Sequence, residues 1–375
     1  MGRKFYIIAG EASGDLYGSS LVESMLKSDP EIRFKGFGGE KMKKAGVDIS
    51  IGIDKLAIMG FLEVMVRMWD LLAYFRRAKS EILEFKPDAL ILVDYPGFNL
   101  RMAEWAKKRG IKVYYFIAPM VWAWGKKRIP KIKANIDKLF VILPFEKAFF
   151  NAHGIDVKYV GNPLIEEINK FKPAPDFLKN LNVPSDCVKV AFFPGSRVAE
   201  IERNVDPVIP VIEKNKDKVF LVAARSELNS KKLKKLIQLK NVRIIYDQNY
   251  DILNVADAGI IKSGSSSLEA AIFRIPHVVI YKTGFINQFI IKRLVTGIKF
   301  ASLVNLILDR KVVSELLQDQ INTENIGKEL EGVLNASNRL EMIKDFEKCI
   351  NAIKINKYPS EMVAEYILEN IEINT

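Results

Sequence analysis

The chain has 375 residues. At roughly 150 residues per domain this fits two α/β domains better than three. Hydrophobic residues make up 49% and charged residues 27%, which excludes an intrinsically disordered chain, a collagen-like fibre and a disulfide scaffold. Basic residues outnumber acidic ones by 57 to 45, a net charge of +12 that favours anionic partners such as nucleotides, phospholipids or nucleic acid.

The cysteines, Cys187 and Cys349, lie far apart, so no disulfide framework is expected and a reducing cytoplasm fits. The longest stretch free of charge runs from Val113 to Gly125, 13 residues. A spanning helix needs about 20, so no membrane-crossing segment is expected. The N-terminus leads straight into an apolar strand pattern, and no signal peptide is expected.

Taken in order, Lys4 to Ala9 reads as a buried strand, followed by Gly10-Glu11-Ala12-Ser13-Gly14-Asp15 and a helix from about Leu16 to Lys27. Ile32 to Phe37, Asp88 to Val93, Lys112 to Ile117, Lys138 to Leu143 and Val157 to Val160 continue a strand series with helices between. After the linker-like Phe171-Lys172-Pro173-Ala174-Pro175-Asp176 the pattern restarts. Val188 to Phe193, Val219 to Ala223, Val242 to Tyr246, Ala258 to Ile261 and Val278 to Tyr281 read as five more strands. Strands alternating with helices argue for parallel sheets. The fold class is therefore α/β, with two Rossmann-like doubly wound domains over 1–165 and 175–310. The tail over 311–375 is read as helical, with no strand.

In open α/β sheets ligands sit outside the carboxyl ends of the strands, so the residues just after each strand carry the information. The loop at Gly10 to Asp15 matches neither the dinucleotide fingerprint nor the Walker A loop. It reads either as a strand–helix turn capped by Ser13 or Asp15, or as a site for a hydroxyl-rich ligand. Glu11 repels phosphate and accepts from hydroxyls. Asp94 ends its strand and is either a helix cap or a general base. Trp122 and Trp124 flank Ala123, and Lys126, Lys127, Arg128, Lys131 and Lys133 follow as a basic face. They form either core and solvated surface, or an aromatic wall beside an anion-attracting face. Gly195, Ser196 and Arg197 follow the first strand of the second domain, where Arg197 suits bidentate phosphate contact. Lys262-Ser263-Gly264-Ser265-Ser266-Ser267-Leu268-Glu269 follows a later strand. It reads as a Ser-rich cap or as a diphosphate-binding helix start, with Glu269 one turn on, in reach of a ribose.

The stretch from Ile58 to Phe75 includes Met65, Val66, Trp69, Leu72 and Phe75 and is apolar over much of its circumference. It suits a buried or intersubunit helix, or one lying on anionic lipid. With two histidines, His153 and His277, and no Asp-x-Asp pair, metal chemistry is poorly supported and a nucleophilic triad is not evident.

The motifs AGEASGD (Ala9 to Asp15), MGFLEV (Met59 to Val64), VDYPGFN (Val93 to Asn99), PMVWAW (Pro119 to Trp124), LPFEKAFF (Leu143 to Phe150), PGSR (Pro194 to Arg197), KSGSSSLEAA (Lys262 to Ala271) and SLVNLIL (Ser302 to Leu308) resemble, in this order, those of the lipid-A-disaccharide synthase family of inverting glycosyltransferases. The resemblance runs from about residue 5 to 320 and is most specific in VWAW with LPFEKAF. It implies the glycosyltransferase B fold, with a cleft between two Rossmann-like domains. The first would bind the acceptor and carry a membrane-associating helix, the second would bind the UDP-sugar, and the tail would pack back on the first domain or on a partner subunit.

The implied reaction moves 2,3-diacylglucosamine from its UDP conjugate onto 2,3-diacylglucosamine 1-phosphate, giving a β-1,6-linked disaccharide 1-phosphate and UDP. No metal or other cofactor is implied, since cationic side chains and a helix N-terminus can stabilise the leaving group. The base maps onto Asp94, with Glu11 and Ser13 nearby. UDP contacts map onto Arg197, Ser263, Gly264, Ser265, Ser266 and Glu269, with Asn305 at a further site position. Met65, Val66, Trp69, Leu72 and Phe75 would meet acyl chains or membrane. The enzyme would be cytoplasmic and peripheral on the anionic surface of the inner membrane, with no nucleic-acid partner and with room for a homodimer.

The chain departs from the family at Gly97, where an acidic residue is common, and at Asn162-Pro163, which replaces a common His-Thr pair. The alternative is another enzyme of the same fold that uses UDP-N-acetylglucosamine, an epimerase or glucosaminyl transferase. A non-catalytic basic binding protein would leave Asp94, Arg197 and Glu269 without a reason to sit at strand ends.

Overall fold

A computed structural model describes residues 2–56, 68–226, 230–284 and 299–371. The chain divides into two compact units, one of residues 1–166 with 355–375, the other of residues 167–354.

The first unit holds strands β1 (Lys4–Ala9), β2 (Arg33–Gly38), β3 (Val47–Gly52), β4 (Ala89–Val93), β5 (Lys112–Phe116), β6 (Lys138–Val141) and β7 (Val157–Tyr159) in the order β3-β2-β1-β4-β5-β6-β7. Every pairing is parallel. The reason is visible in the side chains. Phe5 to Ala9 and Ala89 to Val93 are buried throughout, which only a sheet covered on both faces provides. The order reverses between β1 and β4, so with right-handed crossovers the two connections leave for opposite faces.

The second unit holds β8 (Val188–Phe193), β9 (Lys218–Ala224), β10 (Val242–Tyr246), β11 (Ala258–Lys262), β12 (His277–Tyr281) and β13 (Glu315–Leu317) in the order β10-β9-β8-β11-β12-β13. Its reversal lies between β8 and β11. Along β8, Val190 and Phe192 join one core cluster while Ala191 and Phe193 join another, so both faces are packed.

The structure corrects the sequence reading in three places. The sequence pattern predicts no strand at β3, because Asp48 and Ser50 interrupt its apolar run, as an edge strand allows. β13 lies in the tail that was read as strand-free, and three residues are too few to show a period. The tail is also not one body. Helices Thr323–Leu334 and Ala336–Ile353 belong to the second unit, and only Pro359–Glu369 belongs to the first. Among the described residues no helix is long and apolar enough to cross a membrane.

The last helix is anchored by buried polar contacts. Ser360 donates its hydroxyl to Glu166 at 2.7 Å and its amide to the same carboxylate at 3.2 Å, and it accepts from Ser24 at 2.9 Å. Tyr366 stacks edge-on against Tyr114 and Phe140. Glu166→Ala would leave the Ser360 donors unpaired, at a cost of about 1–3 kcal/mol. Hydrogen exchange should then show faster exchange across residues 359–369, with little change in β8–β12.

Candidate active site

Asp94 follows β4 at the first reversal, and its backbone is unusual. Asp94 and Tyr95 are consecutive non-glycine residues in the left-handed region, at φ 47° and 49°. Such strain costs of order 1–3 kcal/mol per residue and persists only where the surroundings over-determine it. Here they do. The Asp94 amide donates to Phe116, and its carbonyl accepts from the Tyr115 hydroxyl at 2.5 Å and from Asn99 Nδ2 at 2.7 Å. The Tyr95 hydroxyl donates to the Leu56 carbonyl at 2.8 Å, and its ring stacks on Phe98. Gly10, after β1, leaves room for that ring; a Cβ there would lie 2.3 Å from Tyr95 Cγ. Burial first, and then the charge of Glu11, push the Asp94 carboxyl up to about 7. The Asp94 and Glu11 carboxylates therefore share one field, as expected for the loops that flank a reversal.

The helix after Gly10 spans Ala12–Ser28, with Glu11 at its N-cap. Neither Ser13 nor Asp15 caps it. Ser13 is exposed in the first turn. The Asp15 carboxylate instead accepts from the amides of Gly39, Lys41 and Met42 at 2.6–3.1 Å, capping the next short helix, Glu40–Lys44. The N-cap residue Glu11 makes no side-chain cap bond to the first amides of the Ala12–Ser28 helix.

A third carboxylate was not singled out in the sequence. Glu146 is buried at the start of helix Pro144–Ala152, where it accepts from Trp122 Nε1 at 3.0 Å and from the Ile142 and Leu143 amides at 3.1 and 3.0 Å. Burial pushes its carboxyl up to about 7; these donors pull it down, and the charge of Asp94 adds to the rise. Its signal was the Glu three residues into LPFEKAF, the position of a capping-box acid. Trp122 also packs edge-on against Phe145, at 4.9 Å between centroids. The two motifs most specific to the family resemblance are thus one physical contact. Trp124 is exposed, with the Arg128 guanidinium 4.8 Å from its ring centre, and Lys126, Lys127, Lys131 and Lys133 in the segment that follows are exposed.

In the second unit the loops after β8 and β11 flank the reversal. Arg197 follows Gly195 and Ser196 and is about half exposed at its side chain. Ser263 is buried and donates to the Ala301 carbonyl at 2.7 Å. Gly264, at φ 145°, precedes helix Ser265–Ile272, and Gly264 and Ser265 are exposed at its start. Burial pushes the Glu269 carboxyl up to about 7, against the pull of the Ser266 and Ser265 hydroxyls. Asn305 is buried with both amide atoms engaged. Nδ2 donates to Val313 and Glu315, and Oδ1 accepts from the Val312 and Val313 amides. Glu315 in turn accepts from the Ala301 and Ser302 amides, so Asn305 braces the segment against which Ser263 rests. His277 is buried and stacked on Phe346, pushed down to about 4 by burial, and accepts at Nε2 from Ser267.

Met65 and Val66 lie outside the described residues. In helix Met68–Phe85, Trp69 is 78% and Leu72 36% exposed, whereas Phe75 packs edge-on against Phe98 of the core. The apolar stripe is thus divided between an outer and an inner face.

The lipid-A-disaccharide synthetase family profile matches residues 5–368. Over 346 residues the chain is 37% identical to the lipid-A-disaccharide synthase of Syntrophus aciditrophicus, covering 90% of each. The chain belongs to the lipid-A-disaccharide synthetase family. Its structure resembles a UDP-GlcNAc 2-epimerase from Neisseria meningitidis, solved with UDP-GlcNAc, at a TM-score of 0.68, 13% identity and coverage of 99% and 100%. It also resembles the glycotransferase of kitacinnamycin at a TM-score of 0.67, 11% identity and the same coverage. At such identities the likeness establishes the fold, that of glycosyltransferase B enzymes, for this member of the family.

Two outcomes follow from the β1 and β4 loops. Gly10→Ala forces Tyr95 from its place and should cost about 1–3 kcal/mol, read by denaturant unfolding. The raised Asp94 carboxyl means that the folded state keeps a proton the unfolded chain has released. That contribution is full below the ordinary carboxylate range near 4 and is lost as pH rises through about 7. Asp94→Asn should therefore gain thermal stability relative to wild type between pH 5 and pH 8; a constant difference would contradict the raised carboxyl.

Proposed function

We propose that the protein is a lipid-A-disaccharide synthase that transfers 2,3-diacylglucosamine from UDP-2,3-diacylglucosamine to 2,3-diacylglucosamine 1-phosphate. The supporting observation is the family match over residues 5–368, joined to Asp94 at the first strand reversal with its carboxyl near 7. A base is most effective when it titrates near the working pH.

In this reading the Asp94 carboxylate takes the proton from the acceptor's 6-hydroxyl. The freed oxygen forms a bond to the donor's anomeric carbon while the bond to the diphosphate breaks. One displacement inverts that carbon, giving the β-1,6 link and UDP. Glu11 and Ser13 face hydroxyls of the sugar. Arg197 and the open start of helix Ser265–Ile272 receive the diphosphate, and Glu269 the ribose hydroxyls. Ser263 and Asn305 serve by bracing that loop. Placing cations and helix amides where negative charge develops lowers the barrier without a metal ion. Exposed Trp69 and Leu72 and the basic face at Lys126, Lys127, Lys131 and Lys133 support binding to an anionic membrane surface, consistent with acylated substrates.

Purified protein in detergent micelles with EDTA should release UDP and form a β-1,6 disaccharide 1-phosphate from the two acylated substrates. UDP binding without disaccharide would end this reading. The rate should rise with pH through an apparent pKa near 7, and Asp94→Asn should lower it by roughly a hundredfold to ten-thousandfold and flatten that limb. An unaltered limb in Asp94→Asn would remove Asp94 as the base. Trp69→Ala should reduce sedimentation with phosphatidylglycerol vesicles while leaving turnover in micelles within about twofold, since truncating one exposed side chain seldom disturbs the fold.

A further inference from the structure

The second reversal carries a contact that the motifs did not announce. Glu200 lies in the short helix Val198–Asn204, and its side chain is 13% exposed. One carboxylate oxygen accepts from the Ser196 amide at 3.0 Å. The other accepts from Arg197 Nη1 at 3.3 Å and lies 2.9 Å from Lys262 Nζ. Lys262 is the last residue of β11, and Arg197 follows β8. A single carboxylate therefore ties the two loops that flank the reversal. Gly195 is shaped to this contact: its φ is 133°, and a Cβ there would lie 2.5 Å from Glu200 Cβ.

Two cations converging on one carboxylate leave a local charge of +1. The Lys262 side chain is 22% exposed and that of Arg197 46%, so Glu200 does not seal either from solvent. A lysine ammonium has three donors and a guanidinium five, far more than Glu200 uses. Without the carboxylate, two like charges would separate and lose their common aim.

We propose that Glu200 is a positioning residue that sets Lys262 beside Arg197 as a second cationic contact for the diphosphate of the donor. This rests on reading the second unit as the UDP site. Lys262 touches the phosphates, and Glu200 acts through Lys262 and Arg197 without touching them.

The test is UDP binding by calorimetry to the full chain, with uridine as the probe that lacks phosphate. Lys262→Met should weaken UDP by roughly tenfold and leave uridine unchanged, the loss expected of one hydrogen bond to a charged group. Glu200→Ala should also weaken UDP, raise KM for the UDP-sugar more than it lowers kcat, and leave uridine unchanged. Glu200→Ala in the Lys262→Met background should cost less than it does alone, because the two act as one unit. Glu200→Gln, which keeps an acceptor oxygen, should recover part of the UDP affinity.

Unchanged or tighter UDP binding in Glu200→Ala would overturn the proposal, making the carboxylate a competitor for the cations. Equal losses of UDP and uridine would overturn it too, leaving Glu200 a fold residue. Wild type that binds UDP but forms no disaccharide would remove the transfer reaction and leave this inference standing. Wild type without affinity for UDP would remove both.

Discussion

A parallel sheet covered on both faces consumes its own backbone donors and acceptors and hides them from ligands. Only where the strand order reverses do neighbouring strands send their connections to opposite faces, opening a crevice above their carboxyl ends. This chain does so twice, between β1 and β4 and between β8 and β11. Most residues discussed above derive their position from that constraint. Glu11 and Asp94 flank the first reversal, and Arg197, Lys262 and Ser265 flank the second. Remoter residues support them: Glu146 holds Trp122, Glu200 holds the loop after β8, and Glu315 with Asn305 holds the segment on which Ser263 rests.

The two reversals differ in electrostatic character. The first gathers carboxylates: burial and then the charge of Glu11 push Asp94 up to about 7, and burial, with a smaller push from Asp94, raises Glu146 to about 7. That suits a group that must accept a proton from a hydroxyl. The second brings Arg197 and Lys262 together against one carboxylate and exposes the start of a helix. That suits a group that must hold negative charge.

The legible part of the sequence was the part in which local pattern and tertiary role coincide. Val188–Phe193 and Val242–Tyr246 match their expected bounds because an apolar run between polar turns is a buried parallel strand almost by definition. The place of Asp94 just after a strand was legible, because the apolar run Ala89–Val93 marks the end of β4. β3 was not, because an edge strand can carry Asp48 and Ser50 without penalty. Nor were Asp15, Glu146 and Glu200, whose partners depend on how loops fold back. Asp15 reads as a local cap, yet it bonds the amides of residues 39–42. Lys262 meets Glu200 from 62 positions away, a relation set by the pairing of β8 with β11 and by nothing in either motif.

The strain at Asp94 and Tyr95 completes the physical account. Two left-handed residues together cost of order 2–6 kcal/mol, and the hydrogen bonds from Tyr115, Asn99 and Tyr95 return about 0.5–1.5 kcal/mol each. Packing of the Tyr95 ring on Phe98 and over Gly10 supplies more. The Asp94 carbonyl, and not its carboxylate, carries the bracing bonds from Tyr115 and Asn99. The backbone is thereby held through its own amide and carbonyl. In the proposed reading, a base fixed in this way need not reorganise when charge moves, and such preorganisation is where enzymes gain most of their electrostatic advantage. Strained geometry and a raised carboxyl are thus two sides of one arrangement, a loop held by its neighbours at the first reversal with its carboxyl buried beside Glu11.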